Sequence, residues 1–321
     1  MDAEIVMENI TYALLVPCYN AERYVDEFLN HLSLLSRHFD EVIFYDDGST
    51  DNTYQILTER KQQVIKGLGN NGPGYARNQL LSKSSATFVH FHDIDDFMHV
   101  DYLKETSWLV ESAPYDVVLC NVDWLNEDGE LERSWNYSNH DLNADPISYA
   151  ISHPIGGING LYRKQTLIEI SGYNTSSRIW EDADLHVRLA GANANFFVIE
   201  KTLCHSIRRT NTASNDQTMG WKIRLAYLQD YSKSCFNGEQ QKVIGIEAQT
   251  VASRLIMLNE IPDAITALKL SEKCGIRVPN STKILWRLLK TILSHNLIIR
   301  LRISQLMFSF NKKLYLHLGK I

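Results

Sequence analysis

A predicted strand that ends in three acids constrains this fold more than any other feature of the chain. Residues 87–91 have the sequence TFVHF, a run of bulky and β-branched side chains that predicts a buried strand. Asp93, Asp95 and Asp96 follow directly, so we expect them at the carboxyl edge of a sheet. Carboxylates this close repel one another unless a cation lies between them, and a hard divalent ion is the usual solution. A solvated acidic turn is the alternative.

Strands and helices alternate through the first part of the chain. Strands are predicted over 12–17, 41–45, 63–66 and 87–92, with helices over 21–36, 52–60 and 75–82. This alternation predicts an α/β fold with a doubly wound, mostly parallel sheet, and such sheets bind ligands at the carboxyl ends of their strands. The polar segments VPCYN, DDGSTD, GNNGPGYARN and DIDD follow these strands and are expected to converge.

After residue 100 the sequence predicts a less regular alternation of strands and helices, followed by a helical region at the end of the chain. The expected elements are a helix over 101–112, a strand over 116–124, a hairpin-type turn at 127–129, a helix over 164–170, a helix opened by Trp180-Glu181-Asp182, and helices over 221–231, 241–258 and 262–273. Acids such as Glu181 and Asp182 at a helix start also have a simpler explanation in capping and the helix dipole. We predict an α/β domain over 1–215 and a helical region over 216–321.

Two common nucleotide-binding signatures are rejected. Residues 67–72, GLGNNG, satisfy the dinucleotide pattern G-x-G-x-x-G, and Asp93 follows at a suitable spacing. That run comes after the third predicted strand instead of the first, and Pro73 stands where the fingerprint needs a helix already under way. The phosphate-loop pattern G-x-x-x-x-G-K-[ST] does not occur in the sequence. Neither a dinucleotide-dependent dehydrogenase nor a phosphate-loop enzyme is therefore expected.

Composition and cysteine spacing favour an ordinary protein of a reducing compartment. The 321 residues are 44% hydrophobic and 22% charged, enough to bury a large core. Five scattered cysteines, none in a Cys-x-x-Cys pair, predict neither a disulfide framework nor a zinc site. Because the N-terminus carries acids and no membrane-length apolar run occurs, we expect a cytoplasmic protein.

Six motifs together resemble one enzyme family. VPCYNAERYV, DDGSTDNT, NNGPGYARN, FHDIDD, GGINGLYRK and WEDADLHVRLA occur in the order and spacing of inverting GT-A glycosyltransferases of family 2, over residues 10–214. The resemblance implies a donor half at about 1–100 and an acceptor half at about 101–215. It also implies metal-dependent, inverting transfer from a nucleotide-sugar, with a UDP-sugar favoured, to a glycan or lipid-linked acceptor. Cell-surface polysaccharide, glycolipid or teichoic-acid-like synthesis is the implied setting.

The resemblance also implies roles for individual residues. In the nucleotide-sugar site, Asp47 would accept from the uracil imide, and the other implied members are Pro17, Tyr19, Asn70, Arg77, Asp93, Arg209 and Ser214. Asp93 and Asp95 would bind Mn²⁺ or Mg²⁺. Asp182 would be the catalytic base, with Glu181 orienting the acceptor or supporting the base. Arg209 and Ser214 would form a lid over the diphosphate, although the His-Pro-Gly common between such residues is missing.

Three alternatives stay open at this point. A sugar-nucleotide nucleotidyltransferase shares the fold and the acids, but it needs a glycine-rich, basic loop after its first strand, which VPCYN does not supply. An inactive carbohydrate-binding relative is disfavoured because the acid pair and Glu181-Asp182 are both present. His205 is either a third metal ligand or an ordinary core or surface histidine.

The end of the chain is strongly basic. Ten basic residues and no acid lie between Lys273 and Ile321. From residue 281 the spacing of Lys283, Arg287 and Lys290 beside a stripe of leucines predicts a basic amphipathic helix. Residues 281–321 are predicted to bind an anionic surface on the inner face of the cell membrane. The alternatives are packing on the catalytic domain or a contact in a homo-oligomer; no nucleic-acid partner is predicted.

Overall fold

The structure of the protein is a computed structural model that describes residues 10–209, 216–234, 236–277, 293, 297–305, 307 and 308. Contacts between Cα atoms divide the chain into two units, Met1–Thr212 and Ala213–Ile321. Ser214 and the segment 278–292, which includes Lys283, Arg287 and Lys290, lie outside the described residues.

Within the described part of the first unit, nine strands form one sheet. They are β1 Tyr12–Cys18, β2 Glu41–Asp46, β3 Gln63–Lys66, β4 Phe88–Phe91, β5 Phe97–Met98, β6 Val117–Leu125, β7 Leu131–Trp135, β8 Gly160–Arg163 and β9 Phe196–Ile207. The strand order is β3-β2-β1-β4-β8-β6-β9-β5, with β7 paired to β6. Strands β1 to β4 pair in parallel, as do β6 and β9, whereas β8 is antiparallel to both β4 and β6. The predicted mostly parallel α/β sheet is confirmed.

Helices cover both faces of this sheet. In the first unit they are α1 Glu22–Leu32, α2 Thr53–Glu59, α3 Pro73–Lys83, α4 Tyr102–Ser112, α5 Asn139–Ala144, α6 Pro146–Ser152, α7 Lys164–Glu169 and α8 Glu181–Gly191. The second unit contains α9 Gln217–Tyr231, α10 Gly238–Met257 and α11 Ile261–Lys273, and residues 297–305 are also helical. Among the described residues, no helix combines the length and the apolarity that crossing a bilayer requires.

The central strands are apolar on both sides because each face of the sheet has its own core. Along β1, Ala13 and Leu15 pack into one hydrophobic cluster, whereas Leu14 and Val16 pack into the other. Successive side chains of a strand point to opposite faces, so a strand covered on both sides needs an uninterrupted apolar run. That requirement explains the sequence YALLV and puts its carboxyl end, with Pro17 and Tyr19, at the sheet edge.

Several predicted helix boundaries were wrong: α9 begins at Gln217 instead of Trp221 and α10 at Gly238 instead of Gln241, and two further differences lie in the first unit. Helix α1 ends at Leu32 instead of Ser36, and the Ser36 backbone N–H donates to Val100 O at 2.9 Å, so the chain leaves the helix there. Helix α3 begins at Pro73 instead of Tyr75. Proline suits a first helical position because the N–H that it lacks would have no partner there. Gly72, with a φ of 97°, makes the turn that precedes it.

Candidate active site

The three acids that follow β4 have different surroundings. The carboxylate of Asp96 is buried and accepts a hydrogen bond from the backbone N–H of Ile207 at 2.8 Å, which ties the acidic loop to the end of β9. The side chains of Asp93 and Asp95 remain 36% and 32% exposed. Asp96 therefore serves as an anchor for β9, and the other two acids are the ones that a ligand can reach.

Asp93 and Asp95 fit a divalent cation on chemical grounds. Burial raises the pKa of Asp95, and the charge of Asp93 raises it further. A cation held between the two carboxylates would relieve that repulsion, and Mn²⁺ and Mg²⁺ prefer such oxygen ligands. In this structure Arg209 Nη1 donates to Asp95 Oδ2 at 2.7 Å, and Arg209 Nη2 donates to the Asp95 carbonyl at 2.8 Å.

Arg77 connects the acidic loop to the start of α8. Its Nη2 donates to Asp93 Oδ1 at 2.9 Å, and its Nη1 donates to Glu181 Oε1 at 2.8 Å. The Arg77 side chain is only 5% exposed, and its guanidinium lies 5.3 Å from the centre of the Tyr173 ring. Both terminal nitrogens of Arg77 therefore contact acids.

Glu181 and Asp182 lie in the first turn of α8. Trp180, which precedes them, has a left-handed backbone with φ of 69°. Burial raises the pKa of Glu181 to about 7, with the charge of Asp182 as the next cause. Burial also raises the pKa of Asp182, against the opposing effect of Arg77 and of the Ala183 backbone N–H, which donates to Asp182 Oδ1 at 2.8 Å. Two neighbouring carboxyls with raised pKa values are typical of a site that moves protons.

A glycine loop packs against this acid network. A Cβ atom added at Gly157 would meet the Arg77 guanidinium at 3.5 Å and Asp182 Cβ at 3.7 Å, and one at Gly156 would lie 4.0 Å from Asp182 Oδ2. Both glycines belong to the motif GGINGLYRK. Their proximity to Asp182 leaves space beside its carboxylate, which a larger side chain would occupy.

On the other side of the site, Asp47 at the end of β2 holds the glycine-rich loop. Its carboxylate accepts hydrogen bonds from the backbone N–H of Gly72 at 2.7 Å and of Asn71 at 3.0 Å. Arg178 Nη2 donates to the Asn70 carbonyl at 2.6 Å. Sequence reasoning missed Arg178, because an arginine in an irregular segment carries no local signal.

The remaining predicted residues lie at the rim of the site. Pro17 is half-buried at the end of β1, and Tyr19 is 46% exposed. His205 pairs with Phe97 across β9 and β5, and its Nδ1 is buried without a hydrogen-bond partner in the described part of the chain. The cavity beside Asp95 and Arg209 has a volume of about 400 Å³ and extends to the β6–β7 hairpin.

Comparison with known proteins assigns the segment that carries Asp47, Arg77, Asp93 and Asp95. Residues 13–169 match the family model described as Glycosyl transferase family 2. Residues 13–169 belong to glycosyl transferase family 2. The resemblance seen in the sequence motifs is thereby confirmed.

Curated relatives of the chain include a glycosyltransferase and a protein of teichoic acid biosynthesis. A segment of 127 residues, 37% of this chain, is 34% identical to 22% of the poly(ribitol-phosphate) beta-N-acetylglucosaminyltransferase TarS of Staphylococcus aureus. A segment of 234 residues, 68% of this chain, is 29% identical to 52% of the minor teichoic acid biosynthesis protein GgaA of Bacillus subtilis. The chain thus spans about a fifth to a half of the length of these relatives.

Solved structures of similar fold are glycosyltransferases of the GT-A type. S. aureus TarS 1–349 in complex with UDP-GlcNAc superposes with a TM-score of 0.65 at 19% identity, over 96% of this chain and 92% of that one. The mannosyltransferase PcManGT of Pyrobaculum calidifontis, in complex with GDP-Man and Mn²⁺, gives a TM-score of 0.59 at 14% identity, over 92% and 88% of the two chains. At these identities the likeness establishes the GT-A fold.

Proposed function

We propose that this family 2 chain transfers a sugar from a UDP-sugar to a hydroxyl group of a cell-surface glycan or lipid-linked acceptor, with inversion at the sugar carbon. The observation that carries the proposal is the Arg77 bridge, which brings the exposed acid pair Asp93 and Asp95 together with Glu181 and Asp182. One group of acids suits the diphosphate end of a donor, and the other suits the acceptor end.

The donor and acceptor classes are proposed from the relatives. TarS is known in complex with UDP-GlcNAc and with UDP, which favours a UDP-sugar donor for this chain. TarS and GgaA are named for poly(ribitol-phosphate) and for minor teichoic acid, and further relatives are named processive diacylglycerol beta-glycosyltransferases. These names favour an acceptor hydroxyl on a polyol-phosphate polymer or on a glycolipid.

We propose a part in the reaction for each of these groups. Asp93 and Asp95 would hold Mn²⁺ or Mg²⁺, whose charge stabilises the departing diphosphate. The acceptor hydroxyl attacks the sugar carbon from the face opposite to UDP, so a new carbon–oxygen bond forms as the bond to phosphate breaks. Asp182 takes the hydroxyl proton, and the half-buried carboxylate is suited to this because burial raises its pKa above the ordinary aspartate value. Arg209, which donates to Asp95, would add its positive charge beside the diphosphate.

Incubation of the protein with Mn²⁺ and a panel of UDP-sugars tests the proposal. We expect one UDP-sugar to give release of UDP, with a faster rate when teichoic-acid polymer or diacylglycerol acceptor is added. Release of pyrophosphate from a sugar phosphate and UTP would instead indicate a nucleotidyltransferase. The absence of any turnover with every donor would favour the inactive carbohydrate-binding alternative.

The metal assignment predicts a loss of donor binding in Asp95→Ala. Removing one carboxylate ligand leaves the diphosphate charge uncompensated, so calorimetry with UDP and Mn²⁺ should detect binding weakened by at least about tenfold. Asp128→Ala is a matched control, because Asp128 is an exposed acid at the far end of the cavity beside Asp95. Unchanged affinity in Asp95→Ala would exclude this residue as a ligand.

The assignment of Asp182 as the base predicts that the rate of transfer falls at acidic pH. Asp182 must be ionised to accept a proton, so kcat/KM should fall as the pH is lowered through the pKa of Asp182. Because burial raises that pKa, the midpoint should lie above the ordinary aspartate value of 3.8. Glu181→Gln removes a negative charge beside Asp182 and leaves Arg77 in place, so it should move the midpoint to lower pH. An unchanged midpoint in Glu181→Gln would show that the charge of Glu181 does not affect the pKa of the base.

We also propose that the basic segment 281–321 binds an anionic membrane surface and brings the site to a membrane-associated acceptor. Replacing Lys283, Arg287 and Lys290 with glutamine should release the full chain from anionic liposomes, since each basic residue near the surface contributes about 1 kcal/mol. The control replaces the exposed Lys61, Lys83 and Lys104 with glutamine, an equal change in charge. Sedimentation with anionic, neutral and salt-treated liposomes measures the difference. Equal sedimentation of both variants would contradict membrane binding by this segment. It would favour one of the alternatives, packing on the catalytic domain or a contact in a homo-oligomer.

A further inference from the structure

Two tryptophans and two arginines form a continuous row on the ends of β6, β7 and β9. Trp124 is the last residue but one of β6, Trp135 is the last residue of β7, and their ring centres lie 5.2 Å apart. The guanidinium of Arg208 lies 4.3 Å from the centre of the Trp124 ring. That of Arg133 lies 5.0 Å from the centre of the Trp135 ring. These four residues, which we call the Arg–Trp row, have no part in the proposed transfer and need a separate explanation.

The sheet places this row beside the candidate active site. Strands β4 and β6 are both antiparallel to β8, so the carboxyl end of β6 lies at the edge that carries the acidic loop. Arg208 directly precedes Arg209, whose guanidinium donates to Asp95. The backbone N–H of Arg208 donates to the carbonyl oxygen of Leu125 at 2.7 Å, and Leu125 lines the cavity beside Asp95. The row therefore starts next to the proposed donor site and crosses from the end of β9 over β6 to β7.

The arginines of the row differ from those of the acid network. Arg77 and Arg209 each form an ion pair with an acid. As far as the structure describes the chain, neither Arg133 nor Arg208 forms an ion pair or a side-chain hydrogen bond. A guanidinium that stacks on an indole ring uses its face for that contact, and the N–H groups at its edge stay free to donate to an anion. The row thus presents two oriented sets of donors that the fold itself does not use.

The acids of the β6–β7 hairpin do not pair with these arginines. Glu132 precedes Arg133 in β7, and because successive side chains of a strand point to opposite faces, the two lie on different faces of the hairpin. Glu130 accepts a hydrogen bond within the hairpin turn. Glu127 and Asp128 lie at that turn and line the cavity beside the acidic loop. The positive charge of Arg133 therefore remains available to a ligand.

The combination of charge and aromatic surface selects a class of ligand. Arginine binds phosphate oxygens through pairs of N–H donors, and indole rings offer apolar surface to the carbon atoms of a ligand. The row holds two separate cationic groups, each with a ring beside it, on neighbouring strands. Such a surface suits a chain in which anionic groups alternate with uncharged segments of carbon and hydroxyl groups. A neutral glycolipid would leave both guanidinium groups without a counter-ion.

We propose that Arg133 and Arg208 bind phosphodiester groups of a polyol-phosphate acceptor chain. The rings of Trp124 and Trp135 orient the two guanidinium groups and contact the carbon atoms of the polyol. This inference rests on the proposed function, from which it takes the transfer of a sugar to an acceptor hydroxyl, and it selects the polyol-phosphate polymer over the glycolipid. A chain held on the row has its hydroxyl groups at a high local concentration beside the acidic loop.

Binding of poly(ribitol-phosphate) to the full-length protein tests this proposal without any donor sugar. Calorimetry should show that Arg133→Gln/Arg208→Gln binds the polymer at least about tenfold more weakly than the wild type, because two charge-assisted contacts to phosphate are lost. Arg133 is exposed, so Arg133→Gln alone should fold normally and should also weaken binding. Wild-type protein that does not bind the polymer, or a double variant that binds it as tightly as the wild type, would overturn the proposal.

Two further variants show whether the effect belongs to the row. Arg133→Lys/Arg208→Lys keeps both charges but lacks the planar fork that stacks on a ring, so it should recover only part of the affinity. Lys61→Gln/Lys83→Gln is the matched control, because it removes two exposed positive charges outside the row. This control should bind the polymer like the wild type. An equal loss of affinity in the control would assign binding to overall charge and overturn the proposal.

Two other measurements separate the polymer from a lipid surface. The variant with Lys283, Arg287 and Lys290 replaced by glutamine should still bind poly(ribitol-phosphate). Loss of that binding would assign the polymer to the basic segment 281–321 and overturn the proposal. Arg133→Gln/Arg208→Gln should sediment with anionic liposomes like the wild type. Reduced sedimentation with unchanged affinity for the polymer would assign the row to lipid headgroups and would also overturn the proposal.

A failure of this inference can be told apart from a failure of the proposed function. Polymer that binds through the row, without UDP release from any UDP-sugar, would support the row and contradict the transfer reaction. Transfer with the same KM for the polymer in the wild type and in Arg133→Gln/Arg208→Gln would contradict the row and leave the transfer reaction in place. The expected result is a KM for the polymer that rises at least about tenfold in the double variant, with a smaller change in kcat.

Discussion

Replacing Asp182 with asparagine will lower the rate of sugar transfer by about 10²-fold or more, while the affinities for UDP and Mn²⁺ stay nearly unchanged. The amide keeps the shape of the side chain but cannot accept the proton of the acceptor hydroxyl. The glycine loop leaves space beside the side chain, and the Ala183 backbone N–H can donate to the amide oxygen as it does to Asp182 Oδ1. Rates of UDP release at saturating donor, together with calorimetry of UDP and Mn²⁺, measure the two quantities separately.

A control at an exposed acid outside α8 makes this result specific. Asp128→Asn makes the same change from carboxylate to amide at an exposed acid of the β6–β7 hairpin, and it should leave the rate of transfer unchanged. If Asp182→Asn transfers sugar at nearly the wild-type rate, the base is another group, and Glu181, with its pKa of about 7, would be the first to test. If UDP binding is lost together with transfer, Asp182 supports the structure of the site instead of accepting a proton.

Replacing Arg77 with methionine will destabilise the protein by about 3–5 kcal/mol, because it leaves the carboxylate of Glu181 buried without its cation. The two side chains are only 5% and 7% exposed, and Arg77 Nη1 donates to Glu181 Oε1 at 2.8 Å. Chemical denaturation measures the free energy of unfolding. Arg60→Met is the control, since Arg60 pairs with Asp26 at the surface and its loss should cost at most about 1 kcal/mol.

A second variant separates loss of the charge pair from loss of packing. In Arg77→Met/Glu181→Gln no unpaired charge remains at position 181, so part of the stability should return. The cost of Arg77→Met alone should also be smaller at pH 5.5 than at pH 8. Without Arg77 the folded pKa of Glu181 rises further, and a buried acid with a raised pKa loses stability as the pH increases through that value. A double variant no more stable than Arg77→Met would assign the cost to packing.

Much of the first unit could be predicted from local sequence. Strand β1 needs an apolar run because both its faces are covered, and β4 is followed at once by the acids, so their place at the sheet edge follows from the order of the residues. Strand β3, Gln63–Lys66, has the predicted bounds. These features depend on a side-chain period of two and on turn residues next to strands, which a single sequence displays directly.

Other elements were not predictable because their sequence signal is weak. Strand β9 includes Glu200 and Lys201, which interrupt its apolar pattern, and its pairing with β6 is irregular near Asn121. The antiparallel insertion of β8 between β4 and β6 is a choice of pairing partner, and a strand of four residues does not encode that choice locally. Tertiary packing decided where these strands lie.

The sequence by itself determined which residue types are available to the site, and only the tertiary structure decided which of them meet. Arg77 and Glu181 are 104 residues apart in the chain, and nothing in either segment indicates that they form a buried ion pair. The same holds for Arg209 and Asp95, which are 114 residues apart and form an ion pair. Periodicity reports on neighbours within one helix or strand, whereas these contacts arise where the folded sheet brings distant strands and helix ends together.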